Sequence, residues 1–327
     1  MDDHLRIRDL NVGFRTYEGF RQALEVEELT IQHGESYGLV GESGAGKSVL
    51  ALAVLRLLRT PPAVVSAGEL SLDGEDLLGK SARRMRALRG RDISMIFQDP
   101  MSSLNPVFTV GKQLTNVIRR IGGENHRAAI VRAQEMIRLV GLPDAETMMA
   151  KYAHQLSGGQ RQRVIIALAL ACGAQFLIAD EPTRNLDVTV QAGVLKTIAA
   201  LRRDLGVSVL FIANNLGLVS AMCDRVGILM DGRIVETGTV EEVVFSASHP
   251  YTRSLLRAIP TKAAGHEGSE SQWAQSLSRF TTENGAHCSY FARCTEGGEV
   301  CAGQAKPQLS LLDGTHYVAC RVAAATR

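Results

Sequence analysis

The stretch GESGAGKS, residues 41–48, decides the fold. It matches the pattern GxxxxGK[ST] in full, and its flanks are the ones that pattern needs. SYGLVG reads as a buried strand running into it, and VLALAVLRLL as a helix leaving it. Gly41, Gly44 and Gly46 let backbone N–H groups curl around phosphate oxygens, and the helix N-terminus adds its dipole. Glu42, Ser43, Ala45 and Val49 complete the segment that would line the ligand. Lys47 is placed to reach the β- and γ-phosphates, and Ser48 to ligate Mg²⁺. The expected ligand is ATP with Mg²⁺.

FLIADEPT at 176–183 supplies the other half of such a site. FLIAD is a continuous apolar run, as expected of a strand buried on both faces of a parallel sheet. Asp180 ends that run, where a carboxylate is costly without a charged partner, and Mg²⁺ would be that partner. Glu181 stands next to it, placed to polarise an attacking water. VSVLFI at 207–212 is a second run of the same kind. Residues 5–40 read as two strands. ELSLDGEDLL (69–78) and RVGILMDGRIVETG (225–238) read as hairpins turning at Asp-Gly. Residues 110–150 are helix-like. Strands alternating with helices predict an α/β core with added antiparallel strands.

With 327 residues the chain suits one large domain or a domain plus an appendage. A net charge of +2 implies no long-range field, so nucleic acid is not an expected partner. The N-terminal MDDHLRIRDL lacks an apolar segment, so no secretory signal is expected. The longest apolar run, VIIALALACGAQFLIA at 164–179, is broken by Gly and Gln and falls short of the roughly 20 residues of a spanning helix. The expectation is a cytoplasmic protein that reaches a membrane through partners. AAGHEGSESQ, at 263–272, reads as a linker. Of six cysteines, Cys172 and Cys223 sit in apolar-periodic segments as core residues. Cys288, Cys294, Cys301 and Cys320 crowd the last 40 residues, a clustering that suggests metal more than disulfides.

LSGGQ at 156–160, followed by RQRV and lying 24 residues before Asp180, resembles the signature of the ABC ATPases. Several roles follow from the resemblance. Gln98 in IFQDP looks like the glutamine that senses Mg²⁺ and contacts transmembrane subunits. Phe14 aligns best with the aromatic that stacks on adenine, with Tyr17 nearby. Asp187 in NLDV looks like the family's D-loop aspartate. Ser157, Gly158, Gly159 and Gln160 open a helix, another anion-binding terminus. In the family that terminus completes the site of a second subunit. The implied fold is a mixed sheet with a RecA-like core, an antiparallel β subdomain and a helical signature subdomain at about 99–170. All of these fall within an ATPase domain at 1–260, followed by a small Cys-rich extension at 261–327.

A finer resemblance lies in IFQDPMSSLNPVFTVG, YAHQLSGGQRQRV and HPYTRSLLRAIP (249–260), which are similar to the ATPases of oligopeptide, dipeptide and nickel importers. The tail is similar too: HCSYFARC, then Cys301, Pro307, His316 and Cys320, with the spacing C-x5-C-x6-C-x18-C. That resemblance implies a four-iron, four-sulfur cluster on the four thiolates. Zinc suits four thiolates equally well.

One segment departs from the family. In FIANNLGLVS (211–220) Asn214 stands where the family has its switch His, and Asn215 where it has Asp. Asn can hydrogen-bond a phosphate oxygen but cannot carry a proton. Arg184-Asn185-Leu186-Asp187 likewise replaces the more usual Thr-Ala-Leu-Asp. The expectation is a site that binds ATP and hydrolyses it poorly, while an intact LSGGQ completes the site of a paralogous ATPase. The competing reading is that Glu181 suffices. The function expected is that of an ATP-binding importer subunit for peptides or related solutes, peripheral on the cytoplasmic face of a bacterial inner membrane. It would work with two permeases and an extracytoplasmic binding protein. The runner-up is an ABC-type component of a soluble enzyme assembly, such as a phosphonate-cleaving complex. HPYT and the four cysteines favour the importer. Peptide, nickel, glutathione and opine importers share these motifs, so the substrate is not legible.

Overall fold

The computed structural model describes residues 3–99, 103–258 and 288–325. Two sheets organise them. The first is antiparallel, in the order β2 (Gly19–Gln32), β1 (Asp3–Thr16), β5 (Glu69–Leu72), β6 (Glu75–Asp76), with β4 (Ala63–Ser66) also against β1. Residues 5–40 thus hold three strands rather than two, because DHLRIRDLNVGFRT pairs along its whole length with β2. The Asp73-Gly74 turn behaves as predicted, both residues taking positive φ.

The second sheet has eight strands. Its parallel part runs β7 (Ile93–Ile96), β8 (Phe176–Asp180), β9 (Ser208–Ala213), β3 (Ser36–Val40), β10 (Arg225–Met230). β11 (Arg233–Thr239) returns antiparallel through Asp231-Gly232. Every residue of β3, β8 and β9 is buried, which is why these segments read as unbroken apolar runs. The period of two splits them between two cores. Leu210 and Ile212 join Phe176, Ile178 and Leu39 under the antiparallel sheet. Val209, Phe211 and Ala213 face the other way, with Leu177 and Ala179, toward the helices Gly158–Leu170 and Val188–Leu205. Truncating Phe211 to Ala would cost about 3–5 kcal/mol by cavity formation.

The helical region contains Val110–Val117, a π-helical turn at Ile118–Gly122, His126–Leu139 and Ala145–Ala150. The helix after the phosphate loop is shorter than VLALAVLRLL suggested. It spans Lys47–Val54 and stops before Arg56, which turns with φ 50°.

The C-terminal segment is not a separate layer. Its hairpin, β12 (Ser310–Asp313) and β13 (His316–Val318), extends the large sheet beyond β11. Glu236 of β11, fully buried, fastens it. The carboxylate accepts from Ser248 N (2.7 Å), His249 N (3.0 Å) and His316 Nε2 (2.7 Å). The expected boundary at 260/261 and the linker-like 263–272 lie outside the described residues.

Candidate nucleotide site

Strand β3 ends where the loop begins, and the loop's glycines are there for stated reasons. A Cβ on Gly41 would lie 2.1 Å from the Leu229 carbonyl oxygen, so no side chain fits. Gly44 and Gly46 take φ 86° and 106°, conformations open to glycine. Gly46 then caps the helix Lys47–Val54. Lys47 is nearly buried, and its Nζ donates to the Gly41 carbonyl (2.7 Å) and the Glu42 carbonyl (2.8 Å). Burial pushes its ammonium down, against the pull of Glu181, Asp180 and Glu42. A ligand with phosphate charge would reverse that bias.

Asp180 is 3 % exposed at the end of β8, and its Oδ1 makes no hydrogen bond. Burial pushes its carboxyl up, and the Ser48 hydroxyl, hydrogen-bonded to it, pulls it back. An orphaned buried carboxylate oxygen beside a Ser hydroxyl is the donor set a hard cation takes, so the residues fit Mg²⁺.

Glu181 follows in the left-handed region (φ 45°), a strain of order 1 kcal/mol for a non-glycine residue. Its N–H donates to the Ile212 carbonyl. Its Oε2 accepts from Gln98 Nε2 (2.8 Å) and from Arg184 (3.0 Å). The base candidate is thus held by one expected residue, Gln98, and one that sequence reasoning noted only as a departure, Arg184.

A cavity of about 880 Å³ is lined by Phe14, Gly44, Gly46, Lys47, Ser48, Val49, Gln98, Glu181 and Arg184. Ser43 borders it as well. Tyr17 is fully exposed, while Phe14 faces the cavity. Asn214 does not line this space. It is exposed and borders an adjoining cavity of about 690 Å³, with Glu42, Ser43, Gly44 and Ala45. Asn215 caps the helix Leu216–Ser220, its Oδ1 accepting from Gly217 N at 2.8 Å. A capping position takes Asn as readily as Asp, so this half of the departure is structurally neutral.

The signature lines neither cavity. Ser157 caps the helix Gly158–Leu170 through a capping box with Gln160. A Cβ on Gly159 would meet Val190 at 2.6 Å, and one on Gly158 would meet Leu186 at 3.3 Å, so the turn packs on the segment after Glu181. Asp187 caps the helix Val188–Leu205, accepting from Val190 N at 2.9 Å. Val188 beside it is 81 % exposed.

Two contacts were not legible in sequence. The Tyr251 hydroxyl accepts the Glu42 N–H (3.1 Å), and Arg293 pairs with the Glu42 carboxylate (3.3 Å) while lying over the Tyr251 and Tyr290 rings. HPYT was noted as a motif, but nothing local said its Tyr would reach the phosphate loop.

Residues 24–184 match the family model of the ABC transporter, and residues 235–301 match that of the oligopeptide/dipeptide transporter C-terminal region. The chain is 42% identical over 316 residues to a probable peptide ABC transporter ATP-binding protein, y4tR, of Sinorhizobium fredii (strain NBRC 101917 / NGR234), covering 97% of this chain and 94% of that one. This chain belongs to the ABC transporter ATP-binding proteins. It is also 44% identical over 264 residues to the oligopeptide transport ATP-binding protein OppD of Bacillus subtilis (strain 168), covering 80% of this chain and 74% of OppD. Among solved structures, cbiO1 from Clostridium perfringens, part of the ABC transporter complex cbiONQ, superposes with a TM-score of 0.65 at 26% identity, covering 79% of this chain and 96% of that one. The protein is an ABC-type ATPase. No helix among the described residues is long and apolar enough to cross a membrane.

The four C-terminal cysteines meet in this ATPase at one small cavity of about 20 Å³, together with His249, Gly297 and Arg321. Cys320 is buried and the other three partly so. Burial raises the Cys288, Cys301 and Cys320 thiols, and neighbouring thiols of the set raise each of them further. A bound cation would invert that. A Cβ on Gly297 would lie 3.5 Å from Cys294 Sγ and 3.6 Å from Cys301 Cβ, ordinary contact distances, so the glycine adjoins the thiols without being required by them.

Proposed function

We propose that this ATPase is the ATP-binding subunit of an importer for peptides or related solutes. The observation that carries the reading is the oligopeptide/dipeptide-type C-terminal region, matched over residues 235–301 and joined to the ATPase sheet through Glu236. Relatives named for oligopeptide, peptide and glutathione import support it. The subunit would sit on the cytoplasmic face of the inner membrane, with two permeases and an extracytoplasmic solute-binding protein. Exposed Phe97, Val107 and Phe108, around the Gln98 segment, offer an apolar surface for the permeases.

In this reading Lys47 and the loop amides hold the phosphates. Asp180 and Ser48, with Gln98, hold Mg²⁺, which supplies charge neutralisation at the phosphates. Phe14 stacks on the adenine. Ser157, Gly158, Gly159 and Gln160, with Asp187 nearby, complete the phosphate site of a partner ATPase. Glu181 orients the attacking water. Its carboxylate is tied to Arg184, and Asn214 cannot supply the switch imidazole, so this site binds ATP and turns it over slowly. The partner is therefore a paralogous ATPase with a complete site. Tagging the chain, extracting membranes in mild detergent and identifying copurifying proteins tests the assembly. Two permeases and a non-identical ATPase are expected. Recovery with soluble enzymes alone would move the weight to an enzyme assembly of the phosphonate-cleaving type. In the assembled complex Glu181→Gln should reduce turnover less than the same change in the partner. Abolition by Glu181→Gln, with Asn214→His neutral, would overturn the impaired-site reading.

The four thiols are read as ligands of a four-iron, four-sulfur cluster. Four thiolates suit such a cluster, and zinc is the alternative. Iron and acid-labile sulfide in anaerobically purified protein are expected; one equivalent of zinc without sulfide would replace the cluster reading.

A further inference from the structure

The turn after β8 carries a cation that the fold does not need for its stability. Glu181 and Asn185 both take left-handed backbone (φ 45° and 63°), and the Arg184 N–H donates to the Glu181 carbonyl at 3.1 Å. That reversal returns the Arg184 side chain to the Glu181 carboxylate, where Nη1 donates to Oε2 at 3.0 Å. Pro182 and Thr183 between them are buried, and Gln191 Nε2 donates to the Thr183 hydroxyl at 2.9 Å, so the turn has a fixed base. The Arg184 side chain itself is 47 % exposed. An ion pair so solvated adds little to stability, and holding a long side chain in one rotamer costs entropy.

Arg184 faces the nucleotide cavity, which it lines with Lys47, Ser48, Gln98 and Glu181. Its charge reaches the residues assigned to phosphate and Mg²⁺. Burial leads at both, lowering the Lys47 ammonium and raising the Asp180 carboxyl, and Arg184 is one of the charges that push each of them down. A cation is useful there for two reasons. A base that orients water for attack on the γ-phosphate stands close to that phosphate, and the Glu181 carboxylate, only 10 % exposed, would repel it. Asn214, where the family carries an imidazole, brings no charge and borders the adjoining cavity instead. A guanidinium is planar and presents its N–H donors in a fixed fork, so Nη1 can stay on Glu181 while Nε and Nη2 serve phosphate oxygens.

We propose that Arg184 is a ligand of the γ-phosphate of ATP bound at this chain's own loop, bridging that phosphate to Glu181, and that it makes the site prefer ATP to ADP. ADP lacks the group that Arg184 holds, so the preference arises at the γ-phosphate alone. The bridge keeps Glu181 engaged while ATP is bound. This role rests on the reading that nucleotide binds at this loop, and is independent of the transported solute and of the partner ATPase.

Calorimetric titration of the full chain with ATP and with ADP, each with Mg²⁺, tests this in a Glu181→Gln background, which removes both turnover and the carboxylate's charge. There Arg184→Ala should lower ATP affinity about thirtyfold, through lost charge-assisted hydrogen bonds to phosphate, and leave ADP affinity within about twofold. The unchanged ADP affinity also reports that the variant is folded. Arg184→Lys keeps the charge without the fork and should recover only part of the loss. Equal losses for ATP and ADP would overturn the role. So would an ATP loss seen beside native Glu181 but absent beside Glu181→Gln, since Arg184 would then only mask a carboxylate. Failure of Glu181→Gln to bind either nucleotide would overturn the nucleotide site itself, and the role with it.

Discussion

The phosphate loop and the cysteine pocket are both concave sites, yet they are built on opposite plans. The loop draws its donors from eight consecutive residues and uses mainly backbone, so its geometry follows from local φ values at Gly44 and Gly46 and from the close approach of Gly41 to Leu229. The pocket draws side chains from Cys288, Cys294, Cys301 and Cys320, beside a hairpin β12–β13 that is sewn to β11 through Glu236. The first kind of site survives on its own strand and helix. The second depends on the fold around it. Losses at the loop should therefore read out in ligand affinity, and losses at the pocket in stability.

Lys47→Ala should separate the two most sharply. Removing the ammonium takes away the loop side chain that the proposed function assigns to the β- and γ-phosphates. ATP affinity should fall by about 10³-fold, roughly 4 kcal/mol, with Tm hardly lowered, because the group removed is a desolvated cation. Fluorescent-nucleotide titration beside calorimetry checks both. A Tm loss matching the affinity loss would break the comparison.

Glu236→Gln tests the opposite end. One carboxylate oxygen becomes an amide N–H₂, which faces the His249 N–H where an acceptor stood, and His316 loses its anionic partner. A cost of about 3 kcal/mol in stability is expected, with β12–β13 becoming sensitive to limited proteolysis first. ATP affinity of the folded fraction should change less than about threefold. Next in size is Cys320→Ser, the most buried of the four thiols. On the cluster reading its loss should lower Tm by about 4 °C. An unchanged Tm would show that the pocket holds nothing that matters to the fold.

How much of this was legible follows the same division. GESGAGKS, FLIADEP and the signature are contiguous, so sequence located Lys47, Ser48, Asp180, Glu181 and the Ser157 cap, and the buried runs named β3, β8 and β9. Alternation missed β1 as a strand of its own, because DHLRIRDLNVGFRT mixes buried and exposed positions irregularly along a bulged pairing. Arg184 was visible as an odd residue, but its ion pair with Glu181 needed the left-handed turn at φ 45°. Asn214 borders the cavity next to the one that Gln98 and Glu181 line, a difference no motif encodes.

Tyr251→Phe probes the seam where the two plans touch. The hydroxyl accepts the Glu42 N–H, so the C-terminal helix Pro250–Arg257 supplies one hydrogen bond to the phosphate loop, and Arg293 adds an ion pair to the same residue. Removing one oxygen leaves the ring packed against Tyr290 and costs about 1 kcal/mol, since a single neutral hydrogen bond is lost. The loop amides are then less ordered before ligand arrives, and ATP affinity should fall about fivefold with Tm nearly constant. Arg293→Ala should act in the same direction and more weakly, the pair being partly solvated. If both variants leave affinity untouched, the seam is packing alone, and the cysteine region has no route to the nucleotide through Glu42. If they lower it, a region that works through stability also sets the resting shape of the region that works through affinity.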